Sequence, residues 1–179
     1  MNLEQVDIMF TQAQVMEKVT ELGRQIEQDY QGKELLVVGI LKGAFIFMSD
    51  LVRQIDLPLQ LDFMDVSSYG SSTISSGEVR IIKDLDYSIK GKNVLIVEDI
   101  IDTGLTLKYI KEILNQREPQ SVKTCCLLDK PSRRKADITP DYVGFSIPDQ
   151  FIVGYGLDYD ENYRNYPAVC VLKPSVYEK

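Results

Sequence analysis

A chain of 179 residues, 44% hydrophobic and 26% charged, has the length and composition of one globular domain with a substantial core. Its net charge of −7 argues against general nucleic-acid binding, and no apolar stretch approaches the length that spans a membrane. Histidine is absent, which excludes Ser-His and Cys-His triads and His-ligated metals, so any general base must be a carboxylate, a Lys or a Tyr.

The opening residues, Met1-Asn2-Leu3-Glu4, lack the basic-then-apolar pattern of a signal peptide, and a cytoplasmic location is the expectation. Thr11 with Gln14 three residues later has the pattern of a capping box. Val15, Val19, Leu22 and Ile26 then mark one face of a helix ending near Gly32. Leu35 to Ile40 reads as a buried strand, and after Leu41-Lys42-Gly43 a second helix is expected from about Ala44 to Ile55. Leu59, Leu61 and Phe63 alternate as in a strand, and Val79 to Ile82 is another short strand. Between them, residues 67–78 hold six Ser and two Gly. From composition alone a lid over a site and an idle surface loop are equally compatible with this stretch.

Val94 to Val97 reads as a fully buried strand that stops on two carboxylates, Glu98 and Asp99. Asp102 follows three residues later, then Thr103-Gly104-Leu105-Thr106 and an amphipathic run through Leu107, Ile110, Ile113 and Leu114. A Gly turn into a helix start, flanked by hydroxyls, suits a phosphate. Carboxylates beside it need sugar hydroxyls or Mg²⁺ to face, so the segment points to a sugar phosphate. Val122 to Leu128 is a further buried strand, and its Cys125 and Cys126 read as packing; with Cys170 they form neither a disulfide framework nor a zinc spacing. Arg133-Arg134-Lys135 reads as a solvated face, Lys130 alone as surface charge, and Phe151 and Tyr155 alone as core aromatics. Alternating strands and helices predict an α/β fold, a single domain over 1–179 with a mainly parallel twisted sheet flanked by helices and ligands at the strand carboxyl ends.

The segment from Val94 to Thr106 closely resembles the phosphoribosyl-diphosphate (PRPP) motif of the purine phosphoribosyltransferases, in particular the hypoxanthine-guanine enzymes, and the likeness extends from about Val37 to Leu172. The resemblance implies the type I phosphoribosyltransferase fold, with a small hood over the strand ends built from the N-terminal segment and part of 146–179. It implies that Glu98 and Asp99 hold the ribose hydroxyls, that Asp102, Thr103, Gly104, Leu105 and Thr106 cradle the 5′-phosphate, and that Asp102 is the general acid/base at the purine. Leu41-Lys42-Gly43 would grip pyrophosphate with a non-proline cis peptide between Leu41 and Lys42, although these residues alone read as a plain turn. Ala44 stands where some relatives have a second Gly. Ser68 and Tyr69 would belong to a lid over pyrophosphate, and Arg164 would contact it. Lys130 would donate to the 6-oxo group, Phe151 would stack on the purine, and Ile152 would read its edge through the backbone. Asp158, with Glu98 and Asp99, would serve Mg²⁺.

By that resemblance the reaction joins hypoxanthine or guanine to PRPP, giving IMP or GMP and pyrophosphate, in a homodimer or homotetramer that needs neither nucleic acid nor membrane. A xanthine-preferring relative and a PRPP-sensing, nucleic-acid-binding regulator on the same fold are the alternatives. The acidic charge and the set Lys130, Phe151 and Asp158 weigh against the regulator. A P-loop hydrolase is excluded by the missing Gly-x-x-x-x-Gly-Lys-Ser/Thr, and a receiver domain by the single acid in Val6-Asp7-Ile8.

Overall fold

Runs of branched aliphatic residues are suited to strands that bury both faces, and they become the middle of a six-stranded sheet. The computed structural model describes residues 3–68 and 79–177. In chain order the large sheet takes β2 (Leu35–Leu41), β3 (Leu59–Ser68), β4 (Val79–Lys83), β5 (Asn93–Ile101), β6 (Ser121–Asp129) and β7 (Tyr142–Ser146). Their spatial order is β4-β3-β2-β5-β6-β7, parallel throughout except for the edge strand β4. A second sheet of three antiparallel strands joins β1 (Val6–Phe10), β9 (Val169–Leu172) and β8 (Ile152–Val153). The chain is thus a mixed α/β protein whose mainly parallel sheet is flanked by helices.

Alternate residues of the central strands feed two cores. Val37, Leu95 and Val97 pack against α1 (Gln12–Asp29) and α2 (Phe45–Val52), through Val19, Leu22, Phe47 and Leu51. Val38, Val94 and Ile96 pack on the other face against Leu107, Ile110 and Leu114 of α3 (Leu105–Asn115). Each such side chain contributes about 1.5–3 kcal/mol by leaving water. The small sheet has its own core of Val6, Val153, Tyr166, Cys170 and Leu172.

The capping box forms in full: Gln14 N donates to Thr11 Oγ1, and Thr11 N donates to Gln14 Oε1. Several boundaries differ from expectation. Strand β5 does not stop at Glu98-Asp99 but pairs with β6 as far as Ile101 opposite Asp129, because the neighbouring backbone continues to supply partners. Helix α1 ends at Asp29, where the turn Lys33 N to Tyr30 O replaces helical bonding. Helix α2 stops at Val52, its exit tightened by three-residue bonds from Gln54 and Ile55. Cys125, Cys126 and Cys170 are buried thiols, as the packing reading expects. Strands β1, β7, β8 and β9, and the short α4 (Pro174–Tyr177), were not signalled by periodicity.

Candidate active site

The carboxyl ends of β2, β5 and β6 bring the chemistry-bearing residues together. Between β5 and α3, Asp102 to Thr106 forms a tight turn in which Gly104, with φ +78°, is the residue before the first turn of α3. The N-cap residue Gly104 brings no capping side chain, and Leu105 N makes only a long 3.5 Å bond to Thr103 Oγ1, so the amides of this helix start can turn to an anion. The turn is fixed from the opposite side. Lys135 N and Ala136 N donate to Thr103 O at 2.9 and 3.0 Å, and Arg134 Nε donates to Asp102 O at 3.1 Å. Arg134 also donates to Ile138 O at 2.8 Å and ion-pairs with Asp129.

Arg134 is therefore no part of a solvated face: its side chain is only 17% exposed, because three elements converge on its guanidinium. Lys135 stays exposed, as a solvated residue should. Arg134→Ala is expected to loosen the turn and leave Asp129 unpaired, raising roughly 10-fold the KM for the PRPP that the sequence motif implies, as loss of a buried charged partner does. Steady-state kinetics with PRPP varied checks this; an unchanged KM would make Arg134 irrelevant to the turn.

Burial, then the charge of Asp99, pushes the Glu98 carboxyl well above its ordinary range. Burial also raises Asp99, and Asp158 adds to this, while the donated Ile100 N–H at 2.7 Å and the Arg164 charge oppose it. Asp99 lies hard against the turn after β2, which holds a cis peptide between Leu41 and Lys42. A Cβ on Gly43 would fall 1.7 Å from Asp99 Oδ2, and one on Gly156 would fall 2.1 Å from Gly43 O. Only residues without a side chain let these three segments stack.

Arg164 closes this end of the site. Its Nη2 sits 2.8 Å from Asp158 Oδ1, its Nη1 donates to Gly156 O at 2.9 Å, and its Nε is buried with no hydrogen-bond partner among the described residues. Glu161 reaches both Lys42 Nζ (2.8 Å) and Arg164 Nη2 (3.4 Å). Among the described residues no group of three or more acids converges as a ready-made metal cage, so Glu98, Asp99 and Asp158 do not form one by themselves. Mg²⁺ suits such a sparse set, since it keeps several waters and takes phosphate oxygens alongside one or two carboxylates. Half-buried carboxylates that repel one another fit a cation of this kind.

A pocket of about 480 Å³ adjoins the turn and is lined by Asp102, Lys130, Phe151, Ile152 and Asp158 together. Lys130 is buried, its ammonium pKa lowered by desolvation against the opposing pull of Asp102 and Asp149. Phe151 is half-exposed, lies edge-on to Tyr159 at 5.5 Å, and stacks on Tyr177 at 5.0 Å between centroids. Ser68 ends β3 opposite Val79 in backbone pairing. Ser67, expected in the same loop, is likewise in β3, opposite Arg80, because β4 supplies it a partner; the Ser68 side chain and residues 69–78 of the expected lid lie outside the described residues. Sequence reasoning missed Arg133, Arg134, Asp149 and Tyr177, of which Arg133, Asp149 and Tyr177 line the pocket. A charge in a basic run and an aromatic near a chain end carry no local signal of a site.

Comparison with known proteins places these features. Residues 5–160 match the family model described as the phosphoribosyl transferase domain. The chain is 57% identical over 171 residues to a hypoxanthine-guanine phosphoribosyltransferase of Bacillus subtilis, covering 96% of this chain and 95% of that protein. It is 52% identical over 172 residues to a bifunctional TilS/HprT protein of Listeria monocytogenes, of which it spans 26%. A crystal structure of a hypoxanthine phosphoribosyltransferase from Staphylococcus aureus superposes with a TM-score of 0.96 at 55% identity, over 98% of this chain and 96% of that one. With a family model matched over most of its length and relatives at this identity, the chain belongs to the phosphoribosyltransferase family.

Proposed function

We propose that the protein transfers the 5-phosphoribosyl group of PRPP to hypoxanthine or guanine, giving IMP or GMP and pyrophosphate in purine salvage. One observation carries this reading: Asp102 belongs both to the turn that opens α3 and to the lining of the neighbouring pocket. A sugar phosphate seated on Thr103 to Thr106 thereby meets a base held by Lys130, Phe151 and Ile152 at a single carboxylate.

A purine nitrogen attacks the anomeric carbon as its bond to the diphosphate oxygen breaks, and positive charge develops on the ribose. Glu98 and Asp99 accept from the ribose hydroxyls. The amides of Leu41-Lys42-Gly43 and the Arg164 guanidinium face the departing pyrophosphate, whose oxygens a planar fork suits. Asp102 takes the proton from the other imidazole nitrogen of the base, the one beside the oxo group, as the remote nitrogen bonds to the sugar. Glu98, Asp99 and Asp158 would serve a bound Mg²⁺, which supplies charge neutralisation to the diphosphate. We further place the protein in the cytoplasm as a homodimer or homotetramer working without nucleic acid or membrane; no helix among the described residues is long and apolar enough to cross a bilayer.

A spectrophotometric assay of PRPP with each purine tests the reading. Turnover is expected with hypoxanthine and guanine and is expected to disappear in excess chelator. Inactivity with every 6-oxopurine would overturn it, and full activity in chelator would remove the metal. Lys130→Ala should raise KM for hypoxanthine and guanine by roughly 10-fold, since a buried acceptor left without its donor costs about 1–3 kcal/mol. Unchanged Michaelis constants would take Lys130 out of base recognition.

A further inference from the structure

A second basic residue at the pocket has a geometry unlike its neighbours. Arg133 Nε donates to Asp102 Oδ1 at 3.0 Å, and Arg133 Nη1 reaches Asp149 Oδ2 at 3.4 Å. Asp149 Oδ1 in turn lies 3.9 Å from Lys130 Nζ. Four alternating charges, Lys130, Asp149, Arg133 and Asp102, therefore run in a chain along one wall of the 480 Å³ pocket. On a 6-oxopurine the oxo group and the adjacent ring nitrogen lie side by side on one edge. The two ends of the chain, Lys130 and Asp102, are the residues that would meet those two atoms.

We infer that Arg133 is a positioning residue that keeps Lys130 and Asp102 apart and available, each for its own atom of the base. The inference rests on the transfer reaction proposed above and deepens it. Lys130 and Asp102 already attract one another, since the Asp102 charge favours the ammonium form of Lys130. Without a cation on Asp102, the carboxylate is drawn to that ammonium. One collapse then occupies both the oxo-group donor and the proton acceptor. Arg133 prevents it by offering Asp102 a nearer partner on the opposite side, while Asp149 holds the other flank of Lys130.

The energetics suit a positioning role and not a stabilising one. The Arg133 and Asp102 side chains are 48% and 40% exposed, and ion pairs that open to water add little to folding. A purine entering the pocket displaces that water, and the same contact then strengthens in the drier surroundings. The backbone of the phosphate turn does not depend on Arg133, because Arg134, Lys135 and Ala136 hold it. Effects of the two adjacent arginines are thus separable: Arg134 acts on the sugar phosphate, Arg133 on the base.

The test is steady-state kinetics of wild type, Arg133→Ala and Arg133→Lys with each substrate varied in turn, alongside thermal melting. For Arg133→Ala we expect kcat to fall about 10-fold and KM for hypoxanthine to rise about threefold, with KM for PRPP within twofold and an unchanged melting curve. Arg133→Lys should recover most of the turnover, because an ammonium still holds Asp102. Turnover and purine KM within twofold of wild type in Arg133→Ala overturn the inference. So does a PRPP KM that rises as far as the purine parameters worsen, or a Lys variant no better than Ala. Should Arg133→Ala not fold, Arg133→Gln compared with Arg133→Lys gives the same contrast, with Gln expected to lose turnover and Lys to keep it. A wild type inactive with every purine would instead sink the transfer reaction itself, which separates the two failures.

Discussion

Asp102→Asn is expected to lower turnover by roughly 10²-fold or more, within the range that a positioned general base contributes. The variant is close to isosteric, and its amide oxygen still accepts from Arg133 Nε where Asp102 Oδ1 does at 3.0 Å. The turn is held through the backbone carbonyl of residue 102, bonded to Arg134, and that bond is indifferent to the side chain. KM for PRPP should therefore stay within about twofold, so that the loss falls on kcat. With no histidine in the chain, no second imidazole-type base stands in reserve. Rapid-quench measurement of product formation separates the chemical step from product release. Near-normal formation in the Asn variant would remove Asp102 from the proton transfer.

Gly43→Ala is the second large effect. The added methyl would sit 1.7 Å from Asp99 Oδ2, well inside any contact a carbon can make. Neither partner has room to yield. The other Asp99 oxygen accepts from Ile100 N at 2.7 Å, and Gly43 O is backed by Gly156, whose own Cβ position lies 2.1 Å away. Overpacking of this kind costs about 1–3 kcal/mol, and here it is concentrated on the carboxylate and the turn that we propose hold the ribose and the pyrophosphate. A fall of about 10- to 100-fold in kcat/KM for PRPP is expected. Circular dichroism should be unchanged, because β2 and α2 pack elsewhere through Val37 and Phe47. Calorimetric titration with PRPP checks the binding part, and wild-type affinity in the variant would show that Asp99 can serve from another position.

How far such sites are legible in a sequence depends on whether a residue's role is set by its near neighbours. Val94 to Val97 announces itself because a strand buried on both faces needs an uninterrupted apolar run, and Thr11 with Gln14 does so because a capping box is closed within four residues. Strand β8 has two residues and takes its partners from β9, far along the chain, so no window of sequence contains it. The acidic pair looked like a strand end because carboxylates are rare in buried strands, but pairing with β6 carries β5 beyond them. Arg133, Arg134 and Lys135 are alike in sequence and unlike in place: one meets Asp102 and Asp149, one is enclosed by Asp129 and Ile138, and one faces water. A short 3-10 turn over Pro131–Arg133 sends consecutive side chains in different directions, and nothing in a basic triplet reveals it.

The pairing of Val6 with Leu172 has a consequence for the order in which the molecule is made. Strands β2 to β7 all lie between Leu35 and Ser146, so the large sheet can close while the remainder is still being translated. The segment Val6–Phe10 leaves the ribosome before those strands, and its partner Val169–Leu172 leaves after all of them. Strand β8, which carries Ile152 of the base pocket, pairs with that same late strand, and Tyr177 follows it. Closing so long a loop is the slow, entropically opposed step in assembling a chain. A nascent polypeptide can thus form the turn Asp102 to Thr106 early and complete the adjoining pocket only once β9 has joined β1 and β8, so that a product stalled before Val169 is expected to hold a folded sheet and an unfinished pocket.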